Sequence, residues 1–547
     1  MPRRTLAFLA LTFAVGTFAP NVDAFCGFYV GGADTQLFNN ATQVVMMRDG
    51  TRTVLAMQNN YEGPPSGFAL VVPVPVVLQK ENVKTLPREI FAKVDALAAP
   101  RLVEYWEQDP CAAPVEYDAV LPAPMAPRGV AKSASARGAD LQVTIEAQFT
   151  VGEYEIVILS AKDSGGLETW LQREKYAIPA GAEPFLRPYV QAGSKFFVAK
   201  VDPSKVRFDK GQAMLSPLRF HYDSESFTLP VRLGLMNAKG EQDLIVHILA
   251  RGQRFEAANY PNVTIPTNLD VSDEVRKDFG GFYASLFDAT LEKNPKAVVT
   301  EYSWSTATCD PCPGPTLSPS DLATLGGDVL TPVAMPKIPG PPGNGPSGRP
   351  MPPPMRAPGM SGFTITRLHA RYTKGSLGED LVFRAAGPIE GGREFLVRDA
   401  DADDRGKLEH GSRPAQYGQN QFQGRYAIRH PWTGPITCEH PTRGRWGGPP
   451  NGEHKPDIQP ALDLAFAKRE PAKLASFLRS DAPELGIQVG VPAPTPTPAQ
   501  AGDETTATTP TKGGCAGCST TPGQGAASFS VLTLALTLTR RLRRKQR

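Results

Sequence analysis

The chain has 547 residues, of which 41% are hydrophobic, 21% charged and 8% aromatic. This composition excludes a wholly disordered protein and leaves room for two or more ordinary domains. The 54 prolines are about twice the usual share of roughly 5%, which argues against a helical bundle or a coiled coil. The formal net charge of +3 comes from basic residues at the two ends, because acidic side chains outnumber basic ones between them. We therefore expect no nucleic-acid partner.

Residues 1–24 show the order of zones found in a secretory signal peptide. Two arginines precede an apolar run, and residues 22–24 then place small residues at the positions that a signal peptidase reads. Cleavage there would leave Cys26 near the start of the mature protein. The bulky Phe25 directly before it does not fit a lipoprotein cleavage site. The sequence therefore predicts export.

Short apolar runs bounded by turn residues predict strands. In chain order they cover residues 43–47, 51–57, 68–74, 141–149, 154–159, 195–201, 227–233, 243–249, 297–304, 364–372 and 380–383. Asp49 and Gly50 between the first two runs predict a tight hairpin turn. Helical periodicity predicts helices over residues 87–98, 167–175, 273–291 and 471–478. The predicted fold class is α+β, rich in strands.

Proline-rich stretches divide the body into segments. The predicted segments are a β-rich lobe at 25–122, a flexible stretch at 123–138, a second α+β lobe at 139–331, a disordered insert at 332–361, the C-terminal part of the folded body at 362–487 and a Pro/Thr-rich linker at 488–514. A hairpin, a strand, a helix and a further strand recur in similar order in the two lobes. Either duplication or chance explains this recurrence. Duplication predicts two similar lobes of antiparallel strands, each with a helix.

The C-terminal segment, residues 515–547, has three zones. Cys515 and Cys518 precede a short apolar stretch, and arginines dominate the end. The apolar stretch is shorter than the roughly 20 residues that span a bilayer, so we expect a transient membrane anchor with a cytoplasmic basic end. The three zones together resemble the MYXO-CTERM sorting tag. That resemblance implies export, removal of the tag and display at the outer surface through one of the two cysteines, whereas the alternative is a basic amphipathic tail.

Three motifs in the body indicate a family. They are FCGFY at residues 25–29, FALVVPVP at residues 68–75 and CDPC at residues 309–312. The motifs resemble an uncharacterised family of secreted bacterial proteins, catalogued as domain of unknown function twenty-three-thirty. The resemblance spans residues 26–478 and implies no activity, substrate or cofactor.

Five cysteines of the body are candidates for disulfide bonds, because exported proteins fold in oxidising compartments. They are Cys26, Cys111, Cys309, Cys312 and Cys438. The CxxC spacing of Cys309 and Cys312 also fits a thiol–disulfide site. However, the Pro-Gly-Pro sequence that follows cannot continue the helix whose N-terminus stabilises the thiolate in such sites. A zinc site would need a second ligand pair, for which Cys438 and His440 near His430 are the candidates. Structural disulfides are favoured over both.

Asp399, Asp401 and Asp403 alternate as carboxylates do at the start of an EF-hand calcium loop. Asp404 and His410 then stand where that loop requires Gly and a bidentate Glu. We favour a solvated acidic loop over a calcium site and predict no cofactor. The sequence has no nucleophile-elbow, zinc-protease or phosphate-loop motif, which disfavours an enzyme without excluding one.

These observations predict an exported cell-surface protein with a non-enzymatic structural or interaction role in the envelope. Its expected partners are the export and sorting machinery and a surface protein or polysaccharide. One alternative is a secreted hydrolase, which a deep pocket with two carboxylates would favour. The other is a thiol–disulfide or metal-dependent envelope factor that uses Cys309 and Cys312.

Overall fold

The computed structural model describes residues 28–32, 42–59, 61–62, 68–112, 143–178, 181–209, 212–237, 241–332, 362–393, 408–449, 458–462, 464 and 474–489. The strands are β1 Phe28–Gly32, β2 Thr42–Asp49, β3 Arg52–Asn59, β4 Tyr61–Glu62, β5 Phe68–Val74, β6 Val83–Thr85, β7 Arg101–Glu107, β8 Val143–Val151, β9 Tyr154–Ala161, β10 Tyr176–Ala177, β11 Lys195–Val201, β12 Arg207–Asp209, β13 Gln212–Met214, β14 Leu218–Asp223, β15 Thr228–Leu229, β16 Gln242–Arg251, β17 Arg254–Ala257, β18 Asn262–Thr264, β19 Leu269–Asp270, β20 Val298–Ser305, β21 Phe363–Tyr372, β22 Leu381–Ala386, β23 Ile389–Gly391, β24 Ser412–Pro414, β25 Gln421–Gln423, β26 Arg425–His430, β27 Trp446–Gly447 and β28 Gln459–Pro460. The α-helices are α1 Glu89–Ala98, α2 Ser164–Arg173, α3 Glu183–Gln191, α4 Phe279–Lys293, α5 Pro319–Leu325 and α6 Leu474–Phe477.

The central sheet has eleven strands from distant parts of the chain. Its order is β24-β23-β25-β20-β21-β16-β2-β3-β14-β6, and β18 pairs with β20. The β2–β3 hairpin turns at Gly50, where a φ of +58° suits glycine. Strands from the predicted segments 25–122, 139–331 and 362–487 therefore share one sheet.

A second sheet, with the order β10-β1-β5-β11-β9-β8, packs on one face of the central sheet. Alternate side chains of a strand point to opposite faces, and β2 follows this rule. Val44 and Met46 pack towards the second sheet, whereas Val45 and Met47 pack on the other face with α1. The main hydrophobic core therefore lies between the two sheets.

Helices cover the outer faces of both sheets. Helix α1 buries Phe91, Val94 and Leu97 on one side, at the spacing of an apolar helical face, against the central sheet. Helices α2 and α3 cover the second sheet. Helix α4 packs against the central sheet and a five-stranded sheet formed by β19, β26, β7, β27 and β28.

A buried cluster of charged side chains joins α1 and the central sheet. Arg367 of β21 donates to Asp95 of α1 and to Glu301 of β20, with an Nε–Oε2 distance of 2.5 Å in the second pair. Nδ1 of His369 lies 2.7 Å from Oε1 of Glu301, and its Nε2 lies 3.2 Å from Oδ1 of Asp243 of β16. We call these five residues the Arg367 cluster, and each is at most 6% exposed.

Glu301 faces the cluster because β20 has a bulge there. The register between β20 and β21 shifts between Thr300 and Tyr302, and such an extra residue redirects a side chain. The hydroxyl of Tyr283 on α4 donates to Glu301 at 2.5 Å. Phe287 of α4 stacks on the His369 ring at a centroid distance of 3.8 Å. These contacts attach α4 to the same cluster.

Glu301 and His369 hold each other ionised within the Arg367 cluster. Burial raises the pKa of Glu301, but His369 and Arg367 more than offset this and lower it to about 2. Burial lowers the pKa of His369, but Glu301 and Asp243 raise it above its ordinary value. Because both ring nitrogens of His369 face a carboxylate, the imidazolium form donates to both. Arg371, which donates to Asp243 at 2.9 Å, balances the remaining charge.

The predicted strand-rich α+β class is confirmed, and the strands predicted over residues 68–74 and 195–201 coincide with β5 and β11. The strand predicted over residues 227–233 is wrong beyond Leu229. Pro230 follows, and the chain then forms a 3-10 helix over Arg232–Asn237.

The helix predicted over residues 273–291 is a 3-10 helix over Asp273–Arg276 followed by α4. Helices α3 and α5 were not predicted. Within the described ranges, no helix combines the length and apolar character needed to cross a membrane.

Candidate functional site

A cavity of about 340 Å³ lies between the end of β5, helix α3 and the chain that follows β14. Proline rings and small apolar groups form part of its wall: Pro73, Val74, Pro75, Pro188, Ala192 and Pro230. Polar side chains form the rest: Tyr189, Ser194, Tyr222, Ser224, Ser226, Thr228, Arg232 and Asp380. We call this cavity the Arg232 pocket.

Asp380, directly before β22, organises one wall of the pocket. Its Oδ1 accepts from the Tyr189 hydroxyl at 2.7 Å and from the backbone N–H groups of Val231 and Arg232 at 2.9 and 3.1 Å. Its Oδ2 accepts from Nη2 of Arg232 at 3.3 Å. The carboxylate is therefore occupied by four donors and is poorly placed to act as a general base or nucleophile. These bonds also explain why the chain leaves the strand at Pro230.

Arg232 lies over the Tyr189 ring, with 5.1 Å between Cζ and the ring centroid. Burial lowers the pKa of Arg232, but Asp380 raises it above its ordinary value, so the guanidinium stays charged. Burial and the neighbouring Asp380 raise the pKa of Tyr189, so its hydroxyl remains a donor. The Arg232 side chain is 24% exposed, and its buried Nε has no hydrogen-bond partner within the described structure.

Several hydroxyls face the same space. The Oγ atoms of Ser224 and Ser226 lie 3.3 Å apart and form a hydrogen bond. The side-chain hydroxyls of Ser194, Tyr222 and Thr228 make no hydrogen bond to any residue that the structure describes. The pocket therefore presents a cation and unused hydroxyls next to apolar rings, an arrangement suited to binding a polar ligand.

Two other cavities are weaker candidates. One of about 350 Å³ lies at the start of α2, where the Asp163 side chain caps the helix by accepting from the backbone N–H of Gly166. This cavity borders Val143, which follows residues outside the described ranges. The other contains two carboxylates, Glu390 and Glu409, but has only about 30 Å³. Arg413 binds both of them. A cavity of that size holds about one water molecule, not a polymer substrate.

The structure joins four of the candidate cysteines into two disulfides. Cys111, after β7, is bonded to Cys438, at a sequence separation of 327. Cys309 is bonded to Cys312 in the loop after β20. The residues between this loop and α5 form no helix, and Cys312 is exposed. The other candidates, Cys26, Cys515 and Cys518, lie outside the described residues.

The proposed metal ligands are not brought together. Cys438 is engaged in the disulfide, and His430 instead stacks on Trp106 and lies 3.0 Å from Glu104. His440 is exposed. Among the described residues, no group of three or more His, Cys, Asp or Glu side chains is arranged to hold a metal ion. The calcium candidates Asp399, Asp401 and Asp403 lie outside the described ranges.

Sequence reasoning missed the Arg232 pocket. Its central pair, Arg232 and Asp380, is 148 residues apart, and such a pairing leaves no local pattern. The one available signal was Pro230, which interrupts the predicted strand directly before Arg232.

A bacterial family, described as an uncharacterized protein conserved in bacteria and designated DUF2330, matches residues 20–384. All residues of the Arg232 pocket lie within this range, as do Cys309 and Cys312. The match does not extend over the remaining residues up to 478 that the resemblance was expected to span. No curated protein and no solved structure matches the chain.

Proposed function

The chain belongs to this bacterial family without an assigned activity, and we propose that it is an exported protein displayed at the cell surface, where it binds a partner without catalysing a reaction. The observation that carries the proposal is the disulfide between Cys111 and Cys438. It connects the end of β7 to the loop after β26 across 327 residues. Disulfides of this kind form and persist in oxidising compartments, which supports a location beyond the inner membrane.

The ends of the chain support the same location. Residues 1–24 have the zones of a signal peptide, and residues 515–547 resemble a sorting tag. Export and sorting machinery would remove both. The proline-rich stretch at 488–514 would then hold the body away from the membrane, available to a surface protein or polysaccharide.

The Arg232 pocket supports binding over hydrolysis. A hydrolase of polysaccharides commonly uses two carboxylates on either side of the glycosidic bond. The pocket has one carboxylate in its described lining, Asp380, and four donors occupy it. A role in thiol–disulfide exchange is the second candidate, because Cys312 is exposed. It is less well supported, because no helix begins at Cys312 to stabilise a thiolate, and the next one is α5 at Pro319.

Protease digestion of intact native cells tests the proposal. We expect added protease to degrade the protein while a cytoplasmic marker stays intact. A chain without residues 515–547 is the control, and it should lose its attachment to the cell and appear in the medium. Protection in intact cells, with digestion only after lysis, would contradict surface display.

A further inference from the structure

We propose that the Arg232 pocket binds a small hydroxylated carboxylate of the uronic acid class. This inference rests on the proposed binding function and adds the chemistry of the ligand. Three features of the pocket carry it: an arginine with unused donors, hydroxyls without partners and a volume suited to one sugar ring.

The first feature is the hydrogen-bonding state of the Arg232–Asp380 pair. Asp380 uses both oxygens within the protein, so it has little remaining capacity to accept a donor from a ligand. Arg232 gives Asp380 one side-chain contact, at 3.3 Å, and its buried Nε has no partner within the described structure. A buried N–H without an acceptor is unfavourable. The Arg232 side chain is 24% exposed, and an anionic oxygen against its exposed N–H groups would supply an acceptor, since a guanidinium pairs with carboxylates in particular.

The second feature is the set of free hydroxyls. Ser194, Tyr222 and Thr228 line the pocket and have no hydrogen-bond partner among the described residues. Each hydroxyl both donates and accepts, as sugar hydroxyls do. A purely apolar carboxylate would leave these groups unpaired, and unpaired buried polar groups discriminate against such a ligand.

The third feature is size and wall chemistry. The cavity of about 340 Å³ lies at the lower end of the range for small-ligand sites, roughly 300–1,000 Å³. Pro73, Pro188 and Pro230 line it and offer flat apolar surfaces to the C–H groups of a ring. One uronic acid therefore combines what the pocket offers: a carboxylate for Arg232, hydroxyls for the polar wall and C–H faces for the prolines.

Calorimetric titration of the purified mature protein tests this proposal with three probes. D-glucuronate carries both features, D-glucose lacks the carboxylate, and cyclohexanecarboxylate lacks the hydroxyls. We expect D-glucuronate to bind at least about tenfold more tightly than either analogue, since one charge-assisted hydrogen bond accounts for about a factor of ten or more. Equal affinities for D-glucuronate and D-glucose, tighter binding of cyclohexanecarboxylate, or no heat with millimolar D-glucuronate would each overturn it.

Variants locate the binding. Arg232→Gln should weaken D-glucuronate binding at least about tenfold, and Arg384→Gln, which changes an arginine outside the pocket, should not. Because Arg232 also supports Asp380, Tyr222→Phe and Thr228→Val provide variants that keep the charge pair. Each should weaken D-glucuronate binding and leave cyclohexanecarboxylate unaffected. Unchanged affinity in all three pocket variants would overturn the proposal.

The two proposals fail separately. A protein that is digested on intact cells but does not bind D-glucuronate rejects the ligand class alone. A protein that stays protected inside the cell rejects surface display, whatever it binds in the calorimeter.

Discussion

Replacing Arg367 with Met should strongly destabilise the fold. Arg367 is fully buried and is the shared partner of Asp95 and Glu301. Its removal leaves two buried carboxylates near each other without their cation, although His369 still contacts Glu301. Breaking one buried ion pair by removing a partner costs about 3–5 kcal/mol. Because Arg367 serves two carboxylates, we expect Arg367→Met to reduce the free energy of unfolding by about 5 kcal/mol.

Urea denaturation followed by tryptophan fluorescence measures this loss. Arg384→Met is the matched control, because Arg384 also pairs with a glutamate, Glu256, but its side chain is 59% exposed. Exposed ion pairs contribute about 0–1 kcal/mol, so the control should remain close to the unaltered protein. Arg367→Lys keeps the charge and loses the planar fork, and it should fall between the two. An Arg367→Met protein as stable as Arg384→Met would refute the account of the Arg367 cluster.

Two further predictions concern the disulfides and the histidines. In the loop-closure model, Cys111→Ser should reduce the free energy of unfolding by roughly 6 kcal/mol and Cys312→Ser by roughly 2 kcal/mol. The difference arises because the bridge between Cys111 and Cys438 closes a far longer loop. Equal shifts of the two variants in urea midpoint would contradict this order. The folded-state pKa of His369 is raised, so its stabilisation is present below about pH 6.5 and is lost as pH rises through that pKa. Burial and Arg367 lower the pKa of His247 to about 3, so its stabilisation is present above about pH 6.5 and is lost as pH falls towards 3. In melting curves across pH, the loss of melting temperature caused by His369→Gln should become smaller towards alkaline pH, and the loss caused by His247→Gln should become smaller towards acid pH. Parallel pH profiles for the two variants would show that one of these ionisation states is wrong.

Elements whose structure depends on nearby residues were predictable from the sequence. The run that becomes β5 is continuously apolar, and all seven of its residues are buried, so one strand in a covered sheet was the natural interpretation. The hairpin turn at Gly50 was predictable for the same reason, since its positive φ depends on the residue itself. The error at residues 227–233 has a distant cause, because Asp380 holds the backbone N–H groups of Val231 and Arg232.

The charged face of β21 shows why the Arg367 cluster was not predictable. Arg367, His369 and Arg371 occur at alternate positions, a pattern typical of a strand with one solvated face. In the structure that face is covered by α1 and α4, which bring Asp95 and Tyr283 to it. Residues from four elements that are distant in sequence, α1, β16, β20 and β21, must meet before the burial of these charges makes physical sense. The same holds for the Arg232 pocket, whose polar wall comes from α3 and the chain after it, from β14 and the chain after it, and from the residue before β22.

The most direct test of the account is mass spectrometry, without reduction, of the protein recovered from its native envelope. Export and display at the cell surface predict a mature start at Phe25, loss of the basic C-terminal end, a modification on Cys515 or Cys518, and a peptide in which Cys111 is bonded to Cys438. A chain that retains both ends, with Cys111 and Cys438 as free thiols, would contradict export to the cell surface.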